Sequence, residues 1–125
     1  MKFQFMQKNR MDLDDYNFIS YDFRIPDNLL GKGFGKHFVD ESFNIFKNKI
    51  KGATASWNES PIYPGGSANG YKQFWKTFEE TKDKVNAVTE TDFYKLMKKK
   101  GISKLDNEGI TIDPETNSVF IIIYK

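Results

Sequence analysis

Three glycines at alternate positions, Gly31, Gly33 and Gly35, carry the chemistry this 125-residue chain is best suited to. Lys32 and Phe34 lie between them and Lys36 follows. Without Cβ atoms, successive glycines let backbone N–H groups converge on one point. A helix that starts there adds the partial positive charge of its N-terminus. The two lysines add full charges. The segment Gly31, Lys32, Gly33, Phe34, Gly35 and Lys36 therefore reads as a cradle for an anion with several oxygens, such as a pyrophosphate. It lacks the Gly-Lys-Ser/Thr ending of a Walker loop and the third glycine of the dinucleotide fingerprint. The duller reading is a flexible turn feeding a helix.

Other side chains could move protons. Asp22 and Glu41 are candidate general bases. A pairing of Asp22 with Arg24 is the simpler role for that carboxylate. His37 has the ordinary imidazole pKa suited to base work, but on the first turn of a helix it suits capping or plain exposure. Lys98, Lys99 and Lys100 complement the dipole at a helix end and could instead meet an acidic partner. Trp57, Tyr63, Tyr71, Trp75 and Phe78 surround a long loop, either as anchors or as the lining of a groove.

The elements that must position these residues follow from periodicity. Lys2–Gln7 reads as a short strand and the acidic stretch 10–15 as a turn. Alternation predicts a strand over 16–25, with Ile19, Tyr21, Phe23 and Ile25 on one face. Pro26 ends it. Phe38, Val39, Phe43, Phe46 and Ile50 recur at helical spacing, predicting a helix over 35–49, stopped near Gly52. A third strand spans 53–57. The segment 58–70, with Pro61, Pro64, Gly65, Gly66 and Gly70, is a loop long enough to cover a ligand. A helix spans 71–80, 82–88 fits no single period, and Thr89 or Thr91 caps a helix over 90–100. A hairpin closes the chain, through Ile110–Ile112 and Val119–Tyr124. Its last strand is continuously apolar, which predicts burial on both faces.

Composition bounds the rest. The length fits one domain over 1–125. Phenylalanine occurs 12 times, so ring packing fills much of the core. With no cysteine, the chain has no disulfide framework, thiol nucleophile or thiolate metal site. One histidine argues against a His-rich metal centre. The net charge of +2 and the presence of only Arg10 and Arg24 make nucleic-acid binding unexpected. No window approaches the roughly 20 apolar residues of a membrane span, and Met1–Gln7 holds no apolar run of the secretory kind.

The strand, glycine loop and helix together resemble the GCN5-related N-acetyltransferase (GNAT) family. Gly33-Phe34-Gly35 matches the glycine core of that family's loop, and Pro26-Asp27 its strand exit. Phe93-Tyr94-Lys95-Leu96, followed by Gly101-Ile102, is similar to its aromatic helix and glycine turn. The resemblance covers about residues 16–125. It implies a GNAT-like α/β (α+β) fold with a mixed, mainly antiparallel sheet flanked by helices. It further implies acetyl-CoA as substrate, an amine acceptor, and Tyr94 as the acid protonating the departing thiolate. Pantetheine would lie between strands near Phe23–Ile25 and Ala53–Ser56. The sequence departs from the pattern at Leu30, where Arg or Gln is usual, and in the extra lysines before Gly101. Only about 15 residues precede the long strand, leaving no room for the family's two N-terminal helices. The chain also resembles GNAT-like C-terminal domains of bacterial polymorphic toxins. That implies a non-catalytic or effector module acting on a protein partner through residues 57–78. The compartment would be cytoplasmic, or secreted as part of a larger effector.

Overall fold

The computed structural model describes residues 2–5, 9–22, 34–59 and 67–125. Six strands form one sheet: β1 (Lys2–Phe5), β2 (Asn9–Leu13), β3 (Phe18–Asp22), β4 (Gly52–Asn58), β5 (Ile110–Asp113) and β6 (Ser118–Tyr124). Their order across the sheet is β1-β2-β3-β4-β6-β5. Four α-helices accompany them: α1 (Phe34–Phe46), α2 (Ser67–Thr81), α3 (Lys84–Thr89) and α4 (Asp92–Lys99). β3 and β4 run parallel, and every other neighbouring pair is antiparallel. The fold is thus the mixed, mainly antiparallel α+β class that the sequence implies.

The two-residue period of the strands decides which face is buried. Ile19 stands opposite Ala53, Ala53 opposite Ile123, Trp57 opposite Val119 and Ile110 opposite Ile121. Residues in register share a face, and all of these are buried. α1 covers this face through Phe38, whose ring meets Tyr21 edge-on. α2 and α4 cover it through Phe74 and Phe93, both against Trp57. The apolar stripes of three helices therefore load on the same side, giving two layers.

The expectation for the last strand is corrected by this layering. Phe120 and Tyr124 are 43% and 44% exposed, because they point to the face opposite the helices. An antiparallel strand can leave one face to water.

Several boundaries also move. Residues 10–13, expected within a turn, belong to β2. Met11 and Leu13 are buried on the core face, and Asp12 alternates with them. The turn comes later, where Asp14 Oδ1 accepts from the N–H groups of Tyr16 and Phe18. Gly52 does not stop α1 but begins β4, and the Phe18 ring lies where its Cβ would be. α1 runs out instead through a 3-10 turn at Lys47–Lys49. The ambiguous 82–88 contains α3, whose cap Asp83 accepts from the Asn86 N–H. Thr91 caps α4 by accepting from the Tyr94 N–H. Gly101, at φ +86°, ends the turn that follows α4.

Candidate functional site

The parallel strands β3 and β4 make the most unusual local geometry of the sheet. Among the described residues they pair at Phe18↔Gly52 and Ile19↔Ala53. β3 continues to Asp22 and β4 to Asn58, so the two strands part toward their carboxyl ends. β4 brings small residues to this gap: Ala53, Thr54, Ala55 and Ser56.

In chain order α1 follows β3 and α2 follows β4. Gly70, in the first turn of α2, lies against the Trp57 indole near the end of β4. Phe93, at the start of α4, meets the same indole at 6.2 Å. The carboxyl ends of parallel strands, faced by helix N-termini, form the usual crevice for an anionic ligand in α/β sheets.

Of the expected anion cradle, Gly31, Lys32 and Gly33 lie outside the described residues, as do Phe23–Ile25, Pro26, Asp27, Leu30, Tyr63 and the loop prolines. Phe34 and Gly35 open α1. Lys36 is 61% exposed, and its ammonium donates to Asp40 at 2.8 Å, one turn along. Asp40 also takes the ammonium of Lys100, at the C-cap of α4. Lys100 above all, with Lys36, lowers the Asp40 carboxyl from 3.8 to about 2. Lys36 is thus already partly neutralised, and Lys100 belongs to a tie between α1 and α4 and not to a solvated lysine run. Lys98 and Lys99 remain exposed.

The candidate proton carriers do not converge. Asp22 is the last residue of β3, at the parting end. Glu41 is half-buried about two turns into α1. Tyr94 is buried, and its hydroxyl donates to the Ser103 carbonyl at 2.9 Å. The Ser103 N–H in turn donates to the Tyr124 carbonyl, and Tyr124 pairs with Gly52. The phenol is therefore anchored to the segment beside Tyr124, at the paired end of β3 and β4. His37 is exposed on the first turn of α1. Among the aromatics, Trp57 and Phe74 are core residues, with Tyr71, Trp75 and Phe78 packed around them. Trp75 Nε1 is buried without a hydrogen-bond partner among the described residues, and its ring meets Phe74 and Phe78 edge-on.

Two polar contacts escape the sequence reading. Tyr21 and Ser42 join β3 to α1 through hydroxyls 2.6 Å apart, and Ser42 donates to the Val39 carbonyl. Burial pushes the Tyr21 phenol well above its ordinary pKa. The signal was a serine on the Phe38, Ser42, Phe46 stripe of α1, since a polar residue there needs a buried partner. The second is Asp40. Its spacing from Lys36 was legible, but Lys100 was not.

Among the described residues, no cluster of His, Asp and Glu could hold a metal ion, and no helix is long and apolar enough to cross a membrane. Set against protein-family models, curated proteins and solved structures, the chain matches none of them.

Proposed function

We propose that this chain binds an acyl-CoA where β3 and β4 part and transfers the acyl group, acetyl in the simplest case, to an amine. The observation that carries this reading is the parallel ladder of two register pairs, among the described residues, between strands that both continue. A pantetheine arm is a narrow extended chain with two amides, and parting strands offer it width and backbone partners. The small side chains of β4 from Ala53 to Ser56 leave room for it. The N-terminal turn of α2, set against Trp57 near the end of β4, favours the pyrophosphate.

In this reading the acceptor nitrogen attacks the thioester carbonyl. The new N–C bond forms, the C–S bond breaks, and the nitrogen loses a proton. Asp22, the last residue of β3, is the base that takes that proton in this reading. Tyr94, whose hydroxyl donates to the Ser103 carbonyl, is not required as the acid. A thiol has a pKa of about 8.5, so the thiolate can leave and draw its proton from water.

The position of Tyr94 also favours a second reading, a module that binds through this crevice without catalysis and acts on a protein partner. Calorimetric titration with acetyl-CoA, using Gly33→Asp as control, tests the first. Micromolar binding that the variant loses, with acetyl transfer to a polyamine, supports the transferase. Binding without transfer supports the module. No binding at millimolar acetyl-CoA overturns the site.

A further inference from the structure

We propose that the helix-free face of the sheet is a self-association surface, on which two copies of this chain pack as a two-fold dimer. The observations behind it are separate from those behind the acyl-CoA reading. β6 presents Phe120, Ile122 and Tyr124 to this face in a row, with Phe120 and Tyr124 more than two-fifths exposed. Phe18 extends the row across Gly52, meeting Tyr124 edge-on at 5.4 Å. Thr54 and Ser56 of β4, Thr111 of β5 and Ser118 of β6 surround it and carry no charge. An exposed apolar strip rimmed by polar residues marks a contact surface.

The charges at its ends identify the occupant. Lys104 pairs in register with Tyr124, so it stands beside the lower end of the row. Asp113 pairs with Ser118, so it stands beside the upper end. Both flank β6 on the side of β5, separated by six residues of β6, or about 20 Å. A two-fold axis between the sheets, crossing β6 at Ile121 and perpendicular to it, brings Lys104 of each copy over Asp113 of the other. The same operation sets Phe120 over Ile122 and Tyr124 over Ser118. Residue i meets j while j meets i, as an isologous interface requires. Face-to-face sheets pack about 10 Å apart with strands about 30° from aligned, which keeps the pairings near the axis and offsets the end pairs by roughly 5 Å, within reach of a lysine side chain. A nucleic-acid strand fits less well, because Asp12 and Asp113 both belong to this face.

The test is the mass of the full chain in solution across a concentration series, by sedimentation equilibrium. The wild type is expected to approach twice the 14.6 kDa chain mass. Phe120→Glu places a charge at the centre and is expected to remain monomeric. Lys104→Glu and Asp113→Lys each set like charges together twice, so each alone shifts toward monomer. Mixed together they restore both pairs, and the dimer returns. Asp113 also accepts from the Glu115 and Thr116 N–H groups, so circular dichroism confirms the fold of that variant. A wild type that stays at 14.6 kDa throughout, or a dimer indifferent to both Phe120→Glu and Lys104→Glu, overturns the proposal.

Discussion

The Tyr94 hydroxyl donates to the Ser103 carbonyl at 2.9 Å and so pins α4 to the segment that rejoins the sheet beside Tyr124. The bond connects a helix to the strand system across a single turn containing Gly101. Removing it while keeping the ring isolates its contribution. Tyr94→Phe should cost about 0.5–1.5 kcal/mol in urea unfolding, the usual net worth of one hydrogen bond. Acetyl-CoA affinity and any acetyl transfer should be unchanged. A folded variant that binds acetyl-CoA but has lost transfer would return this phenol to the chemistry.

Gly70 is held to glycine by its neighbour and not by its backbone. In an exposed helix, Gly→Ala gains up to about 1 kcal/mol. Here the added methyl would press into the indole of Trp57, which is 3% exposed and has nowhere to move. Overpacking of this kind costs roughly 1–3 kcal/mol. Gly70→Ala should therefore lower the melting temperature and shift the tryptophan fluorescence. A higher melting temperature would mean that α2 does not rest on Trp57.

Asp40 makes stability depend on pH at the acid end. Its folded-state carboxyl titrates at about 2, against an ordinary value of 3.8. The unfolded chain therefore binds more protons between these values. The contribution is present above about pH 3.8 and is lost as the pH falls toward 2. Asp40→Asn should lose up to about 1 kcal/mol at neutral pH, as a partly exposed ion pair does. It should also flatten the stability profile between pH 4 and 2, roughly the interval between the two pKa values. An unchanged profile in acid unfolding would dismiss the tie to Lys100.

Tyr21 has the opposite sign. Its phenol is raised above the ordinary 10.0, first by burial. The folded state therefore holds its proton more tightly than the unfolded chain. The resulting stability is complete below pH 10 and falls away as the pH rises further. Tyr21→Phe should cost about 0.5–1.5 kcal/mol at neutral pH, with Ser42 still satisfied by Val39. It should also remove this phenol's share of the alkaline loss. Equal alkaline denaturation of variant and wild type would place the titration elsewhere.

Much of the architecture was legible because it rests on local patterns. Ile19 and Tyr21 alternate with polar residues and form β3, and Phe38, Val39 and Phe46 recur at helical spacing and form α1. Thr91 and Gly101 bound α4 and its closing turn through capping chemistry that needs no distant partner. The site was less legible. Phe34 and Gly35 start α1, but the position of Tyr94 depends on Ser103 and Tyr124, which only the folded sheet brings near it.

By itself, then, the sequence determined most element types, though not β2 or α3, and the mixed α+β class. These follow from side-chain period, caps and backbone freedom within a few residues. The tertiary structure decided what depends on contacts between distant segments. It parted β3 from β4 after two pairs, spent the Tyr94 hydroxyl on Ser103, tied Asp40 to Lys100, and left Phe120 and Tyr124 facing away from the helices. A run such as Val119–Ile123 is equally apolar whether one face or both are covered. Only the side of the sheet on which the helices pack distinguishes the two.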